Sequence, residues 1–176
     1  MKGTEERLMR ALEELMADKP LDSIRAVEIA DRARVSKQTF YNHYEDKYAL
    51  MDALFRRKLE HPYQQMLDLE PYRECALSFY RTCRAHGPFL RNAFFSKDVN
   101  NLFGAMQRLL RKSFALRFER QKIPMTREIQ FTIDFYAKGM TGFTQRWIER
   151  GMEFSDEEAA SLACSCIPVL LAQHVK

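Results

Sequence analysis

Residues 35–50, VSKQTFYNHYEDKYAL, decide the fold of the N-terminal part of the chain. Ser36 is a favourable N-cap, and Val35 before it can pack against Phe40 in the helix that follows. Phe40 and Tyr44 are spaced i, i+4, so they share one face and are expected to be the buried anchors. The segment therefore predicts a short amphipathic helix that starts at Ser36.

The opposite face of this predicted helix is polar and carries no carboxylate. Gln38 and Asn42 are also spaced i, i+4 and point nearly away from the buried pair. Their neighbours on that face are Lys37, Thr39, Tyr41 and His43. Gln and Asn side chains can pair bidentately with adenine in the major groove, and the other types can bind phosphate. The face indicates a surface for double-stranded DNA, and an ordinary solvated helix face is the alternative that composition alone leaves open.

Two further helices are predicted upstream of this segment. Apolar residues recur with helical spacing before Pro20, at Leu8, Ala11, Leu12, Leu15 and Met16. Residues 26–33 form a second short helix. Ala30, Arg34 and Phe40 then supply the small residue, the turn and the apolar anchor that a helix-turn-helix requires.

Residues 28–55, EIADRARVSKQTFYNHYEDKYALMDALF, resemble the TetR/AcrR family of bacterial transcriptional regulators. The resemblance rests on the order V-S-x-x-T-[FL]-Y-x-H-[FY]-x-x-K-x-x-L and covers about residues 5–60. It implies an all-α protein, with a three-helix helix-turn-helix DNA-binding domain at 1–47 and a helical effector-binding and dimerisation domain at 48–176, connected by a helix at 46–60. The KQTFY stretch and the short chain resemble the compact subgroup that includes regulators of dihydroxyacetone metabolism.

The resemblance also implies roles for individual positions. Those matching Lys37, Gln38 and Asn42 face bases, and Lys47 at the start of the connecting helix clamps the DNA backbone. The expected DNA-binding set is Arg25, Ser36, Lys37, Gln38, Thr39, Tyr41, Asn42, His43 and Lys47.

Two positions depart from the family pattern. The turn residue is usually Gly, so Arg34 either accepts a positive φ at some cost or forms a different turn. The second helix usually starts with Thr or Ser, where this chain has Arg25. Either a charged phosphate contact replaces that cap, or Ser23 caps the helix one register earlier.

The C-terminal part is also predicted to be helical. Gly87 ends one helix and Pro88 opens the next. Long helices are predicted at 98–121 and 126–150, the second interrupted by Gly139 and Gly142. Ser155 begins a capping box, SDEE, for a last helix at 155–174 that Pro168 should kink.

Two surfaces are predicted in this C-terminal part. Aromatic residues can line an apolar effector pocket, with plain core as the alternative for each of Phe79, Phe103, Phe131, Phe135 and Tyr136. The last two helices are expected to form a dimer interface as a four-helix bundle with their symmetry mates. Its candidate residues are Gly139, Phe143, Trp147, Leu162, Cys166 and Val169.

Composition argues against several other functions. The four His residues are scattered, and the chain has no metal-binding H-E-x-x-H, P-loop or dinucleotide motif, so neither an enzyme nor a cofactor or metal site is expected. No apolar stretch is long enough to span a membrane, and the charged N-terminus and four Cys suggest a cytoplasmic protein with reduced thiols. Residues 1–60 hold 12 basic and 12 acidic residues, so DNA binding would depend on placed side chains rather than on a bulk positive field.

Two hypotheses about function follow. The first is a sequence-specific regulator, a repressor, that binds a palindromic operator as a homodimer and is gated by a small-molecule effector. The second is an effector-independent architectural DNA-binding protein whose C-terminal half serves dimerisation and protein contacts. A cavity in the C-terminal part favours the first, and a filled core favours the second.

Overall fold

The structure, a computed structural model, describes residues 2–96 and 102–175. These residues form α-helices and one 3-10 turn, Leu21–Ser23, and contain no strand, so the all-α prediction is confirmed. The helices are α1 Lys2–Asp18, α2 Ala26–Arg32, α3 Lys37–His43, α4 Lys47–Lys58, α5 Glu60–Leu67, α6 Tyr72–Ala85, α7 Gly87–Phe94, α8 Leu102–Arg120, α9 Arg127–Glu149, α10 Asp156–Ser165 and α11 Val169–Ala172.

The helices divide into two compact units. The first contains α1–α4, α7 and the first turn of α8, and the second contains α5, α6, the rest of α8 and α9–α11. The sequence predicted a boundary after residue 47, whereas the structure divides the chain after Arg57. Arg57 explains part of this difference, because its guanidinium lies 2.8 Å from the Glu6 carboxylate on α1 and keeps the end of α4 in the first unit.

The core of the first unit is built on the predicted apolar stripe of α1. Leu8, Leu12 and Met16 are completely buried, together with Phe40 of α3. Helix α7 packs on α1, and the side-chain amide of Asn92 donates to the Met16 carbonyl. A segment that follows α6 in the chain thus completes the N-terminal unit.

Several helix starts follow the local sequence signals. The Ser36 hydroxyl accepts a hydrogen bond from the Thr39 N–H at 3.0 Å, and the Ser155 hydroxyl accepts one from the Glu158 N–H at 3.1 Å. Pro88 lies in the first turn of α7, as predicted. The predicted helix at 98–121 is α8, and its first residues, 98–101, lie outside the described part of the chain.

The prediction of one kinked helix at 155–174 is wrong. Helix α10 ends at Ser165, and α11 starts at Val169, directly after Pro168. Proline has no N–H for the Cys164 carbonyl and disfavours helical backbone at the residue before it, so the helix breaks instead of bending.

A buried arginine organises the second unit. Arg117 is 1% exposed, and its guanidinium donates to the carbonyls of Met66, Glu70, Leu69 and His174 at 2.8 to 3.4 Å. Desolvation by burial lowers the pKa of Arg117. Because main-chain oxygens satisfy this buried cation, α8 holds both the α5–α6 connection and the C-terminal segment in place.

Candidate nucleic-acid interface and apolar cavity

The turn between α2 and α3 uses the left-handed conformation that is usual for glycine. Arg34 has φ 55°, and the Val35 N–H donates to the Ala30 carbonyl at 3.0 Å. Of the two alternatives for Arg34, the structure shows the positive φ. Arg7 of α1 donates to the Arg34 carbonyl at 3.5 Å, which helps to hold the turn.

The predicted reading face of α3 is exposed and contains an ordered amide pair. Lys37, Gln38 and Asn42 are exposed, as is Tyr41 at 46%. The Gln38 Nε2 donates to the Asn42 Oδ1 at 3.0 Å. This bond leaves the Gln38 oxygen as an acceptor and the Asn42 nitrogen as a donor, which is the pair of groups that an adenine edge requires.

The other predicted residues of α3 surround this pair. The Lys37 ammonium lies 5.8 Å from the centre of the Tyr41 ring. The Thr39 hydroxyl bonds the Ser36 hydroxyl at 2.8 Å. The His43 imidazole is only 14% exposed and lies 3.5 Å from the Glu5 carboxylate on α1.

The two expected anchors of α3 differ in burial. Phe40 is completely buried, whereas Tyr44 is half-buried and follows the end of the helix in extended backbone. Their rings are still in contact range, with centroids 6.3 Å apart.

The Lys47 ammonium, predicted to contact a phosphate, has main-chain partners within the chain. Its ammonium donates to the carbonyls of Leu21, Asp22 and Ile24 at 2.8, 2.9 and 2.8 Å. An ammonium group has three N–H donors, and all three are used here. Lys47 therefore ties the start of α4 to the turn that precedes α2.

Arg25 is the N-cap residue of α2, so the alternative cap at Ser23 is wrong. The Glu28 carboxylate accepts the Arg25 N–H at 2.8 Å, while the Ser23 hydroxyl donates to the Pro20 carbonyl. Hydrogen bonds from Lys19 and from the Arg25 N–H lower the pKa of Glu28 to about 2. The Arg25 side chain remains exposed, where it pairs with Glu28 at 3.3 Å.

The second unit contains a cavity of about 90 Å³ between its helices. Its walls come from α5, α6, α8, α9 and α10 and are mainly apolar, with Phe79, Met106 and Met140 among them. Ser113 and Thr141 are among the few polar residues of this lining. The C-terminal part is therefore not a completely filled core.

The aromatic residues predicted for a pocket are distributed differently. Phe79 lines the cavity, but Phe103 belongs to the first unit. Phe131 and Phe135 are 72% and 69% exposed, and Tyr136 is buried among other groups, where its hydroxyl bonds Ala163 and Tyr72. Only Phe79 of the predicted set lines this cavity.

The polar lining residues of the cavity were not predicted from the sequence. Tyr72, Ser113, Thr141 and Thr144 all line the cavity. The available signal was the position of Thr141 and Thr144, which interrupt the buried stripe of α9 at a spacing of three residues.

The predicted dimer residues also divide into two groups. Gly139, Leu162, Cys166 and Val169 are exposed, with Val169 at 84%, and Phe143 is half-buried. Trp147 is only 1% exposed and so does not belong to an open surface.

Trp147 has a role inside the second unit. Its indole N–H donates to the Phe154 carbonyl at 3.3 Å, and its ring packs edge-on against Tyr80 at 5.3 Å. The Arg84 guanidinium covers the ring at 5.2 Å. The prediction that Trp147 belongs to a dimer interface is wrong for this reason.

The four cysteines are free thiols. Cys75 and Cys83 are buried, and desolvation raises the pKa of Cys75 to about 11 and that of Cys83 further. Thiols with a raised pKa carry little thiolate at neutral pH and are unreactive.

The described residues contain no group of His, Cys, Asp and Glu side chains that could hold a metal ion. No helix among them is long and apolar enough to cross a membrane.

The fold and the α3 face define a helix-turn-helix DNA-binding transcriptional regulator, and comparison with known families gives the same class. Residues 8–54 match the bacterial regulatory proteins of the tetR family, and residues 70–168 match the transcriptional regulator C-terminal region of TetR type. The chain belongs to the TetR family, whose members are regulators rather than enzymes.

Solved structures of this fold cover nearly the whole chain. The dihydroxyacetone kinase operon activator DhaS is 19% identical with a TM-score of 0.64, over 98% of this chain and 96% of its own. Thermus thermophilus FadR, a TetR-family repressor solved with lauroyl-CoA, is 17% identical with a TM-score of 0.60, over 98% and 95%. A TetR regulator from Rhodococcus sp. RHA1 is 17% identical with a TM-score of 0.63, over 96% and 97%. No curated protein matches the sequence.

Lys47→Met tests the structural role of this lysine. The variant keeps the apolar stem but removes the ammonium from all three carbonyls, of which only that of Leu21 keeps another donor, the Ile24 N–H, so we expect the free energy of unfolding to fall by about 2 to 3 kcal/mol. If the three carbonyls hold the ammonium in the DNA complex as well, the salt dependence of DNA binding should not change. Urea denaturation and DNA titrations at several salt concentrations measure both quantities.

Lys37→Met is the matched control, since Lys37 is exposed on α3. Its stability should stay within about 0.5 kcal/mol of the parent. A Lys47→Met protein of unchanged stability, with a salt slope reduced by about one, would restore Lys47 to the DNA interface.

Arg34→Gly tests the strain in the turn. Glycine adopts φ 55° without a side-chain clash, so the free energy of unfolding should rise by about 1 kcal/mol. Asp31→Gly is the control within α2, where glycine should lower stability by up to about 1 kcal/mol. Thermal and urea unfolding of both variants give the comparison, and a loss of stability in Arg34→Gly contradicts the strain.

Proposed function

We propose that this chain is a repressor that binds a palindromic operator as a homodimer and releases it when a small molecule enters the cavity of the second unit. The observation that carries the DNA-binding part is the exposed, carboxylate-free face of α3 with its hydrogen-bonded Gln38–Asn42 pair. Such a pair is preorganised for a base edge, whereas a merely solvated face needs no ordered amides.

The proposed roles on DNA follow the geometry of the face. Gln38 and Asn42 read bases. Lys37 and Tyr41, which are also exposed, bind the DNA next to them. The half-buried Thr39 and His43 lie at its edge, close to phosphates, together with the Arg25 side chain at the start of α2. Ser36 caps α3 and so sets its orientation.

A gating role for the second unit is supported by its cavity. The chain passes between the two units after Arg57, after Ala85 and within α8. A ligand that binds one conformer of the second unit better than another shifts the population of that unit, and α8, which has residues in both units, can transmit the change. A cavity also disfavours the architectural alternative, which requires no ligand.

Among the similar structures, FadR is described as a repressor with lauroyl-CoA bound and DhaS as an activator. We propose repression with effector release for this chain, and transcription from the operator with and without the protein tests the sign.

Dimer formation is supported by exposed apolar side chains on α9 to α11. Phe131, Phe135 and Val169 are 72%, 69% and 84% exposed, and Leu162 is 38% exposed. A Cβ added at Gly139 would meet no atom within 4 Å, so a partner helix could approach this part of α9 closely. Large apolar side chains left in water are typical of interfaces, and a two-fold dimer presents two reading helices to a palindrome.

Gln38→Ala and Asn42→Ala test base reading. Each variant should bind the operator more weakly by about 1 to 3 kcal/mol and should bind scrambled DNA as the parent does. Titrations on both DNAs at one salt concentration give the comparison. Gln64→Ala, an exposed glutamine on α5 that pairs with Asp68, is the control and should bind both DNAs normally. Equal losses on operator and scrambled DNA contradict base reading.

Phe135→Asp tests the dimer interface. Because Phe135 is exposed in the single chain, the variant should remain folded as a monomer, with a melting temperature lowered only by the loss of association, while a buried unpaired charge should prevent dimer formation. Sedimentation analysis at micromolar concentration measures the mass. Phe95→Asp is the control, a half-exposed phenylalanine in the first unit that should leave the dimer intact. A monomeric parent protein, or a fully dimeric Phe135→Asp variant, places the interface elsewhere.

A further inference from the structure

The cavity of the second unit is uncharged. Among the described residues, none of those that line it is Asp, Glu, Lys, Arg or His. An ionised ligand would lose its hydration there without gaining a charged partner, which costs several kcal/mol. The cavity therefore selects against anions and cations.

The hydroxyl protons on α8 and α9 are already used within their helices. Ser113 donates to the Leu109 carbonyl at 2.9 Å and Thr141 donates to the Ala137 carbonyl at 2.7 Å. Thr144 donates to the Met140 carbonyl at 2.9 Å. A hydroxyl has one proton and two lone pairs, so each of these groups can offer a ligand only an acceptor.

The tyrosines of the lining follow the same rule. Because the Thr144 hydroxyl donates its proton to the Met140 carbonyl, Tyr80 must be the donor in its 3.4 Å hydrogen bond with the Thr144 oxygen. Tyr136 donates to the Ala163 carbonyl at 2.8 Å, so Tyr72 must donate to Tyr136 at 2.9 Å. Burial raises the pKa of both Tyr72 and Tyr80, so they remain protonated.

Two lining groups remain. The Cys75 thiol donates to the Glu70 carbonyl at 3.7 Å. Tyr63 is half-exposed, and its hydroxyl has no protein partner among the described residues. Among the polar groups of the described lining residues, only the half-exposed Tyr63 hydroxyl therefore keeps a proton for a ligand, and the other hydroxyls can offer only oxygen lone pairs.

The size of the cavity limits a ligand to about one small ring. At about 90 Å³ it is smaller than the apolar cavity of roughly 150 Å³ that is known to take up benzene. Three methionines line it, Met66, Met106 and Met140, and their unbranched side chains can move to enlarge it.

On the basis of the proposed effector gating, we propose that the cavity binds an uncharged, largely apolar molecule of about one ring, whose hydroxyl donates to the oxygen of Thr141 or Ser113. Apart from Tyr63 at the half-exposed edge, the lining offers acceptors only, which favours a ligand that donates a hydrogen bond over an ether, and the neutral lining favours both over a carboxylate. The ligand class is therefore that of simple phenols and compact alcohols.

Four one-ring probes test this class on the full chain without DNA. Calorimetric titration with phenol, anisole, toluene and benzoate at up to millimolar concentration should give the tightest binding for phenol, weaker binding for anisole and toluene, and none for benzoate. Benzoate binding as tight as phenol, or anisole binding tighter than phenol, overturns the proposal. Absence of binding by all four also overturns it.

Thr141→Val and Ser113→Ala locate the acceptor. In Thr141→Val, the Ala137 carbonyl keeps its helical hydrogen bond, so the variant should fold normally. At least one of the two variants should weaken phenol binding about fivefold and leave toluene binding within about twofold. Thr132→Val is the control for the valine change, because Thr132 makes the same bond to the Glu128 carbonyl without lining the cavity. Unchanged phenol binding in both test variants overturns the assignment.

DNA titration separates this inference from the proposed function. If phenol binds as expected and operator affinity does not change, the ligand class stands and the gating is wrong. If benzoate binds and lowers operator affinity, the gating stands and the ligand class is wrong.

Discussion

The Lys47 ammonium and three main-chain carbonyls form the interaction on which the DNA-binding unit depends. The carbonyls of Leu21, Asp22 and Ile24 all face the same cation, which joins the start of α4 to the turn between α1 and α2. A short turn with three converging carbonyls is unfavourable without a donor, because their dipoles repel one another. With the turn held, α2 begins at Ala26 and α3 can present its polar face outward.

Under the proposed function, recognition on the α3 face would rely on the position of individual side chains rather than on net charge. The first 60 residues are electrically neutral, and several cations are paired, including Arg57 with Glu6 and Lys19 with Glu28. Against this background, an ordered amide pair on a carboxylate-free helix face supplies specificity by hydrogen bonds. A neutral surface limits binding to arbitrary DNA, which is mainly electrostatic.

Hydrogen-bond satisfaction also shapes the second unit. Arg117 is buried because four carbonyls surround it, and the cavity hydroxyls are buried because each donates to a carbonyl. Arg117 and the cavity hydroxyls differ in the hydrogen-bonding capacity that remains after these bonds are made. The guanidinium has no acceptor to offer, whereas each hydroxyl keeps lone pairs and belongs to a residue that lines an apolar cavity. Hydrogen-bond satisfaction therefore accounts both for the contacts around Arg117 and for the polar residues that line the cavity.

The helix-turn-helix, the caps at Ser36 and Ser155 and the division of α3 into a buried and a polar face could all be predicted from the sequence. These features depend on residues within one or two turns of each other. Three other features became visible only in the folded chain. Lys47 donates to main-chain carbonyls, Arg84 covers Trp147, and Phe131 and Phe135 lie outside the core. Each of these features depends either on a partner more than five residues away in the chain or on which side of a helix is covered by other helices. Helical periodicity specifies neither the distant partner nor the covered side.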